Sequence, residues 1–512
     1  MVLSTKDNAP PQDKFWNSLS LLCLGFVIIT SFFTYFYRYD YPQAPYWDEN
    51  YYITDAQREL NGIFYMQIHP PLGKMLIALG EALVNANEND AQFLDTEHAG
   101  EFPKDFSFAG YRLFPALLGW LAVPLLFLCL LLILGSPLLA TLLSFLIIFD
   151  NALIVHSRGA MLDSPLNFFV LLTIFLFIVL TKLKSRKRLF LWLSAFTGIA
   201  LGLAITIKMN GAFLLLLLPA IFWHMRKERR NALTSLFLIA AGFCITFISV
   251  WQIHLSRMEV IRPTLRDRGM YLASDVYKEI LSEGKQSSLL SFPLMLRDHL
   301  RYAPHYNQGI PKLDLCKPDE NGSPPFLWPF GVTAINYRWA SAGADTYRYL
   351  YLVANPAVWL LGFSGVVFSA VYLFGPLFFT AKRTREEKER RFLAVTFLGL
   401  YGGYMAAFSI MDRVHFLYSY FPALLVSFLL LGIVFAEASA IGSWKLSEER
   451  KTLIAMLLAC LIFLSFQIFR PFTYYEPITN DALGRRAIFR LWNLRCVGCE
   501  KPSPLVRRQC DA

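Results

Sequence analysis

Two apolar runs joined by a cationic turn, LNFFVLLTIFLFIVLTKLKSRKRLFLWLSAFTGIALGLAITI from Leu166 to Ile207, decide the fold of this chain. Each run is long enough to cross the hydrocarbon layer of a bilayer, which takes roughly 20 mostly apolar residues. Short loops rich in Lys and Arg are typical of the cytoplasmic side of membrane proteins. The stretch therefore predicts two membrane helices joined by a cytoplasmic turn, whose cations are Lys182, Lys184, Arg186, Lys187 and Arg188.

The composition of the whole chain also indicates a membrane protein. Hydrophobic residues make up 55% of the 512 positions and charged residues only 17%, whereas a soluble protein carries about a quarter charged residues. The net charge of +10 does not indicate a nucleic-acid partner, because the cations lie in short loops between apolar runs. We therefore expect membrane lipids, and no nucleic acid, among the partners.

The apolar pattern predicts an all-α polytopic fold with about eleven transmembrane helices. The predicted spans lie near 16–37, 111–134, 137–155, 164–181, 189–206, 211–224, 232–252, 355–379, 392–410, 414–436 and 452–470. With the N-terminus in the cytoplasm, every cationic cluster faces that side, as the positive-inside rule requires. Besides the turn described above, the clusters are Arg226/Lys227/Arg229/Arg230, Lys382/Arg383/Arg385/Lys388/Arg390/Arg391 and Lys445/Arg450/Lys451.

The same count of spans divides the chain into four parts. No small-residue cleavage site follows the first span, so we interpret it as an uncleaved anchor. Loops held over a rigid bundle are where chemistry usually lies, which directs attention to the long outer loops. The parts are an N-terminal membrane module at 1–252 with a first outer loop at 38–110, a large outer loop at 253–354, a four-helix module at 355–470 and an outer tail at 471–512.

Two motifs in the first outer loop are candidates for a site. Trp47-Asp48-Glu49-Asn50 places two adjacent carboxylates just beyond a span, which suits either a solvated turn or a general base near a reacting hydroxyl. His69-Pro70-Pro71-Leu72-Gly73-Lys74 predicts a rigid elbow before a helix, because its prolines fix the backbone. Its His69 and Lys74 either belong to that elbow or are polar groups aimed at a lipid headgroup.

Single cations at the outer ends of spans form a second set of candidates. Arg112 opens the second span and either snorkels to the interface or pairs bidentately with a phosphate. Lys208 and Arg413 belong to no positive cluster and lie on the face that positive charge usually avoids. An anionic partner on that face is the simplest explanation for both.

Three further charges border the turn between the third and fourth spans. They are Asp150, Arg158 and Asp163, in Phe149-Asp150-Asn151, Ser157-Arg158 and Leu162-Asp163-Ser164. Charged groups at membrane depth are costly without partners. We expect the three to pair with one another and brace the bundle.

In order and spacing, these motifs resemble those of the protein O-mannosyltransferase family of the GT-C class. The resemblance runs from about residue 47 to 425, and Gln67 stands where the family usually has Asp. In the C-terminal half it rests on Ser323-Pro324 to Trp328-Pro329, Asn355-Pro356-Ala357-Val358-Trp359 and the segment Arg413 to Pro422.

The resemblance implies a GT-C fold and a glycosyltransferase of the dolichyl-phosphate-mannose–protein mannosyltransferase type. Such an enzyme transfers mannose, with inversion, from polyprenyl-phosphate-mannose to Ser/Thr hydroxyls of secreted or membrane proteins. The lipid-linked sugar is a substrate, so no cofactor and no metal are expected. The implied roles are Asp48 as general base, Glu49 as acceptor ligand, Arg112, Lys208 and Arg413 as ligands of the lipid phosphate, and His69, Lys74 and Arg158 as further substrate-binding residues.

The location and the rival functions follow from the same features. The large outer loop is too short for the β-trefoil domain of eukaryotic relatives, which favours a bacterial enzyme with its active site on the outer face of the inner membrane. One rival is a sister GT-C transferase that modifies a lipid or a glycan. A lipid transporter or flippase is another, but transporters tend to place ionisable groups near the bilayer midplane and to contain inverted repeats.

The cysteines divide under this topology. Four lie inside spans, where Cys commonly serves as a small apolar residue, and four lie outside, in what should be an oxidising compartment. We expect at least one disulfide in the outer tail, although a zinc half-site at Cys496-Val-Gly-Cys499 and free thiols are alternatives. The outer four are Cys316, Cys496, Cys499 and Cys510.

Overall fold

The computed structural model describes residues 17–92, 94, 102–103, 105–183, 187–261, 272–317, 320–374, 384–441 and 444–499. Of the residues singled out above, Lys184, Arg186, Lys382, Arg383 and Cys510 lie outside these ranges. The helices are α1 (Ser18–Ser31, continued by a π-helical turn at Phe32–Phe36), α2 (Glu49–Leu60), α3 (Leu72–Val84), α4 (Ala109–Leu134), α5 (Pro137–Ile148), α6 (Asn151–Ser157), α7 (Asp163–Lys182), α8 (Lys187–Ile207), α9 (Leu217–His224), α10 (Arg229–Arg257), α11 (Asp275–Ser282), α12 (Phe292–Gln308), α13 (Pro356–Phe374), α14 (Arg385–Ile410), α15 (Phe421–Glu437), α16 (Glu448–Tyr474) and α17 (Asn480–Gly484). The strands are β1 (Ile335–Gly343), β2 (Thr346–Leu352), β3 (Ala440–Ile441), β4 (Trp444–Lys445) and β5 (Pro477–Thr479).

The predicted membrane fold is confirmed, with two changes to the list of spans. Among the described residues, 9 helices are long and apolar enough to cross a membrane: α1 with its π-helical turn, α4, α7, α8, α10, α13, α14, α15 and α16. The predicted span 137–155 is the pair α5 and α6, bent by 64° at its break, and the count rises to 10 if this pair is one broken span. The predicted span 211–224 is part of a short apolar segment, Met209–His224, that starts as a 3₁₀ helix.

Helix α15 lies inside the bundle, and several other helices cover it. Every residue from Phe421 to Ile433 is buried, as expected for a helix that is hydrophobic on all sides. The outer helices show the opposite pattern, since Leu22 of α1 and Phe237 of α10 are each 71% exposed. These exposed apolar faces suit contact with lipid rather than water.

Small residues allow α8 and α10 to pack closely. A Cβ atom added at Gly198 would lie 2.1 Å from the carbonyl oxygen of Ile239, and one at Gly242 would lie 2.5 Å from that of Ala195. Close approach through glycine is a common way for membrane helices to associate, because lipid provides little hydrophobic drive between helices. This packing holds α8, which ends beside Lys208, in a fixed position.

The break between α5 and α6 is held by two of the sequence motifs. The Asp150 carboxylate accepts the N–H of Leu153 at 2.8 Å and so caps α6, and it also accepts the indole N–H of Trp359 at 2.8 Å. The amide of Asn355 donates to the carbonyl of Phe149 at 2.9 Å. Helix termini have unpaired backbone groups that need such partners when buried. These contacts fix α6 between the two halves of the bundle.

The two long loops fold into helices and a small sheet of their own. The first loop contributes α2 and α3, and the large loop contributes α11, α12 and the hairpin β1–β2. Strand β5 from the tail completes a three-stranded antiparallel sheet in the order β1-β2-β5. Gln67 joins the two loops, because its backbone N–H donates to Nδ1 of His299 at 3.1 Å and its amide lies 3.2 Å from Nε2 of His254.

Candidate active site

Asp48 has an uncommitted carboxylate at the start of α2. Trp47 before it adopts a φ of 53°, a left-handed conformation that bulky residues seldom adopt, and stacks on Tyr337 with ring centroids 5.3 Å apart. The Asp48 side chain does not cap its own helix, and no described residue donates a hydrogen bond to it. This carboxylate is free to accept a proton from a bound molecule.

The surroundings of Asp48 change its acidity. Burial raises the pKa of Asp48 from 3.8 to about 6, the positive charge of Lys208 opposes the rise, and the negative charge of Asp163 adds to it. A general base works best with a pKa near the working pH, because it must be ionised and yet hold a proton. Asp48 therefore has the acidity that this role requires.

A buried chain of polar groups lies beside Asp48. Lys208 follows α8, and its Nζ lies 2.9 and 3.0 Å from the two carboxylate oxygens of Asp163 at the start of α7. Asp163 Oδ2 lies 3.2 Å from Nε2 of His156, whose Nδ1 is 2.6 Å from the hydroxyl of Tyr337. An ammonium carries three N–H donors, so Lys208 keeps donor capacity for a further anion.

Aromatic rings enclose this chain. The ring of Tyr418 lies 5.5 Å from Nζ of Lys208 and stacks on His156 with centroids 4.9 Å apart. Trp47 meets Tyr418 edge-on at 6.3 Å. The structure thus brings together the first outer loop, the starts of α7 and α15, the end of α8 and strand β1. We call Asp48, Lys208, Asp163, His156 and Tyr337 the polar cluster.

Glu49 and Arg112 form a closed brace rather than a binding site. Arg112 Nε and Nη2 each donate to the Glu49 carboxylate at 2.7 Å. The remaining guanidinium donors reach the carbonyls of Asp40 and Pro42 at 2.6 Å and that of Ala44 at 2.8 Å. Both side chains are fully buried. The predicted role of Arg112 as a phosphate ligand does not fit this arrangement, because all its nitrogen atoms already donate to protein groups.

The predicted role of Glu49 as an acceptor ligand is revised for the same reason. Besides Arg112, its carboxylate accepts the backbone N–H of Tyr46 at 3.0 Å and that of Ala160 at 2.8 Å. Four hydrogen bonds occupy the lone pairs of the carboxylate. Asp48 and Glu49, although adjacent in the sequence, therefore have different surroundings, and the contacts of Glu49 hold the loop that carries Asp48.

In the motif from His69 to Lys74, the two polar residues have different surroundings: His69 lies beside the polar cluster, and Lys74 joins two helices. Burial, together with the positive charges of Lys208 and Lys74, lowers the pKa of His69 well below 6.5, so His69 is a neutral ring beside the polar cluster. Lys74 is buried, contacts Gln67, and lies 3.1 Å from a carboxylate oxygen of Asp55. Its predicted role at a headgroup does not fit these contacts, which join α2 to α3.

Arg413 and Arg158 both donate hydrogen bonds to groups outside the polar cluster. Arg413 donates to Asn307 and to the carbonyl of Val414 at 3.3 Å, and its positive charge reaches His69. It therefore stays a candidate phosphate ligand. Arg158 is buried and donates to the carbonyl of Arg38, away from the polar cluster.

The expectation that Asp150, Arg158 and Asp163 pair with one another is wrong. Asp150 caps α6 and binds Trp359, while Asp163 binds Lys208. A carboxylate at a helix start first serves the free N–H groups there, so adjacency in sequence did not determine the partners. Sequence reasoning missed His156 as a site residue, and its only signal was a titratable group within the buried segment Asn151–Ser157.

The outer tail contains the expected disulfide. Cys496 and Cys499 are bonded to each other, and Cys316 is also disulfide-bonded. Because Cys496 and Cys499 are bonded to each other, they do not form the alternative zinc half-site. Cys23, Cys129, Cys244 and Cys460 are free thiols, as expected for small apolar residues within spans.

Comparisons with known proteins agree with this fold. A family model described as dolichyl-phosphate-mannose-protein mannosyltransferase matches residues 25–258, and one described as the C-terminal four TMM region of protein-O-mannosyltransferase matches residues 305–492. The structure superimposes on a chain of the Saccharomyces cerevisiae protein O-mannosyltransferase Pmt1-Pmt2 complex bound to the sugar donor. The TM-score is 0.77 at 15% identity, over 97% of this chain and 95% of that chain.

One further solved structure and two proteins of similar sequence also match this chain. An oligosaccharyltransferase of Archaeoglobus fulgidus superimposes with a TM-score of 0.51 at 15% identity, over 94% of this chain and 59% of that chain. In sequence, dolichyl-phosphate-mannose–protein mannosyltransferase 3 of S. cerevisiae is 31% identical over 219 residues, 41% of this chain and 28% of the relative. Protein O-mannosyl-transferase 2 of Drosophila melanogaster is 30% identical over 214 residues, 41% of this chain and 27% of the relative. The alignments thus span less than a third of those relatives.

This bundle of membrane helices, with its polar cluster beneath the long loops, has the fold of the GT-C glycosyltransferases. Together, the two family models match the chain from the first span to the outer tail, and they identify one family within this fold class. The chain belongs to the protein O-mannosyltransferase family.

Proposed function

We propose that this protein transfers mannose from polyprenyl-phosphate-mannose to Ser or Thr hydroxyls of proteins. The observation that carries the proposal is the uncommitted carboxylate of Asp48, with a pKa of about 6, beside the cation of Lys208. The names of the similar proteins support the sugar and the acceptor class. The donor-bound state named for the yeast complex supports a lipid-linked donor.

The geometry suits an inverting displacement. Asp48 accepts the proton of the acceptor hydroxyl as its oxygen attacks the anomeric carbon, and the bond from that carbon to the phosphate oxygen breaks. A β-linked phosphomannose then gives an α-linked product. The leaving polyprenyl phosphate gains negative charge, and a fixed cation placed where charge develops stabilises the transition state. Lys208 takes that role, with Arg413 as a second candidate.

The same proposal places the protein in a bacterial inner membrane, with its N-terminus in the cytoplasm and the site outside. The ends of α7 support the orientation, because Lys182 lies in its last turn and Asp163 in its first. Positive clusters normally stay on the cytoplasmic side. The polar cluster then faces the compartment where disulfides persist.

The transfer assay below tests the function directly. Purified protein in liposomes receives polyprenyl-phosphate-mannose with a radiolabelled sugar and a Ser/Thr-containing peptide, and a matched peptide with Ala at each hydroxyl position is the control. Label is expected only in the first peptide, with the α configuration. Label in a lipid or glycan product instead would favour the sister GT-C transferase, and no transfer from this donor to any acceptor would contradict the proposal.

A further inference from the structure

A cavity of about 610 Å³ lies between the first and last spans, apart from the polar cluster. Ile29 and Phe33 of α1 form one wall, and Phe463 and Phe466 of α16 form the other. None of the polar cluster lines this cavity. Ile29 is 61% exposed and Phe33 59% exposed, so the apolar wall is continuous with the surface that faces lipid.

The outer end of this cavity is strongly cationic. Four arginines line it against a single carboxylate, which leaves a formal charge of +3 (four minus one). The carboxylate, Glu476, lies 3.0 Å from Arg470 and offsets its charge. The excess charge is thus provided by Arg38, Arg158 and Arg348.

Arg158 is buried, yet its guanidinium is only partly hydrogen-bonded. Its side chain is 4% exposed, and its guanidinium carbon lies 4.9 Å from the ring centroid of Tyr474. Only Nη2 donates, to the carbonyl of Arg38, while Nε and Nη1 have no hydrogen-bond partner among the described residues. A buried guanidinium without acceptors is costly, so an anion is needed to complete the site.

We propose that this cavity binds the phosphate of a membrane lipid. Guanidinium groups pair with phosphate oxygens through charge-assisted hydrogen bonds, and three arginines with excess charge suit an anionic headgroup. The lipid chain would run along Ile29, Phe33, Phe463 and Phe466 into the bilayer. A charged headgroup at one end and a lipid-facing apolar wall at the other distinguish this ligand from a soluble anion.

The position of Arg158 gives the lipid a structural consequence. Arg158 directly follows α6 as its C-cap residue, and His156 of the polar cluster lies within α6. A phosphate held by Arg158 would therefore fix one end of the helix that presents His156. The site is separate from the donor phosphate site proposed at Lys208, so the two are testable independently.

Thermal unfolding of the purified full chain in detergent tests the proposal. Four probes are added in turn: phosphatidylglycerol, phosphatidylcholine, a polyprenyl monophosphate and inorganic phosphate. A lipid that binds only the folded state raises the midpoint, and at equal concentration a tighter-binding lipid raises it further. An anionic lipid is expected to raise it more than phosphatidylcholine does, and the comparison of phosphatidylglycerol with polyprenyl monophosphate identifies the source of the phosphate.

Variants then locate the binding. Arg158→Gln and Arg348→Gln are each expected to weaken the apparent affinity at least about tenfold, the loss expected for one hydrogen bond between charged groups. Arg301→Gln, on the exposed outer face of α12 and outside the cavity, is the matched control and is expected to bind normally. If Arg158→Gln does not fold, the apparent lipid affinity of Arg348→Gln tests the proposal by itself.

Three results would overturn the proposal. The first is an equal response to phosphatidylcholine and to both anionic lipids. The second is a loss of affinity in Arg348→Gln no larger than in Arg301→Gln. The third is full stabilisation by inorganic phosphate alone, which would exclude a lipid as the ligand.

Discussion

Two neighbouring carboxylates, Asp48 and Glu49, show how the environment of a residue decides its function. The Glu49 carboxylate accepts four hydrogen bonds, two of them from its ion-pair partner Arg112, whereas the Asp48 carboxylate accepts none from the described residues. The sequence predicted that this pair matters but assigned Glu49 to the acceptor. Partners far apart in the chain, such as Arg112 and Ala160, produce the difference, and sequence spacing does not indicate them.

The raised pKa of Asp48 gives a pH dependence with a definite sign. A general base acts only when deprotonated, so kcat/KM is expected to fall below a midpoint near pH 6, by about tenfold for each further pH unit. A phosphodiester donor does not titrate in this range. The measurement is the pH profile of kcat/KM, with protein stability monitored throughout. A flat profile down to pH 5 would show that Asp48 is not the titrating base.

The affinity for the donor is expected to depend on Lys208, which forms a buried ion pair with Asp163. Removing Lys208 alone would leave a buried carboxylate without its ammonium partner, which destabilises proteins strongly. The double variant Lys208→Gln/Asp163→Asn removes both charges and is expected to fold while binding donor at least about tenfold more weakly. Lys312→Gln is the control, because Lys312 is exposed and pairs with Asp412. Equal donor affinity in both variants, measured by equilibrium binding, would exclude Lys208 as the phosphate ligand.

At the scale of elements, hydropathy predicted the apolar segments well but not their continuity. The break after α5 arises because Asp150 caps α6 and binds Trp359, and a hydropathy pattern does not contain such contacts. The segment Met209–His224 begins as a 3₁₀ helix, where a Cβ atom at Gly211 would lie 2.9 Å from the backbone of Ala204. The β sheet was not predicted, since its strands come from the large loop and the tail.

The brace between Glu49 and Arg112 joins the start of α2 to α4. Breaking a buried ion pair by removing one charge typically costs about 3–5 kcal/mol. Glu49→Gln is therefore expected to lower the thermal midpoint markedly, while the acceptor KM of the folded fraction stays unchanged. Glu283→Gln, at an exposed pair with Lys285, is the control. An unchanged midpoint with a raised acceptor KM would restore Glu49 as an acceptor ligand.

At the scale of the whole molecule, the sequence predicted the membrane class, the GT-C fold and two long loops between helices of the bundle. It did not predict how those loops are joined. Gln67 binds His254 and His299, and Glu59 Oε1 lies 2.7 Å from Nδ1 of His254. These polar contacts between distant segments are individually too common in loops to be recognised from the sequence.

The orientation of the molecule gives a further expected result. The bond between Cys496 and Cys499 suits an oxidising outer compartment. Peptide mapping of protein from native membranes, under non-reducing conditions, is expected to recover the two cysteines linked. Alkylation of both without reductant would place the tail in a reducing compartment and reverse the proposed orientation of the polar cluster.

The measurement that tests the central claim most directly is the turnover of purified Asp48→Asn in the labelled-donor assay, with donor affinity and thermal midpoint determined on the same sample. The expected result is a loss of at least about a hundredfold in turnover with normal donor binding. Because burial raises the folded-state pKa of Asp48 above its unfolded value, its ionisation costs stability as the pH rises through about 6. The midpoint of the variant at neutral pH is therefore expected to equal or exceed that of the unsubstituted protein. Near-normal turnover in Asp48→Asn would contradict the assignment of Asp48 as the base.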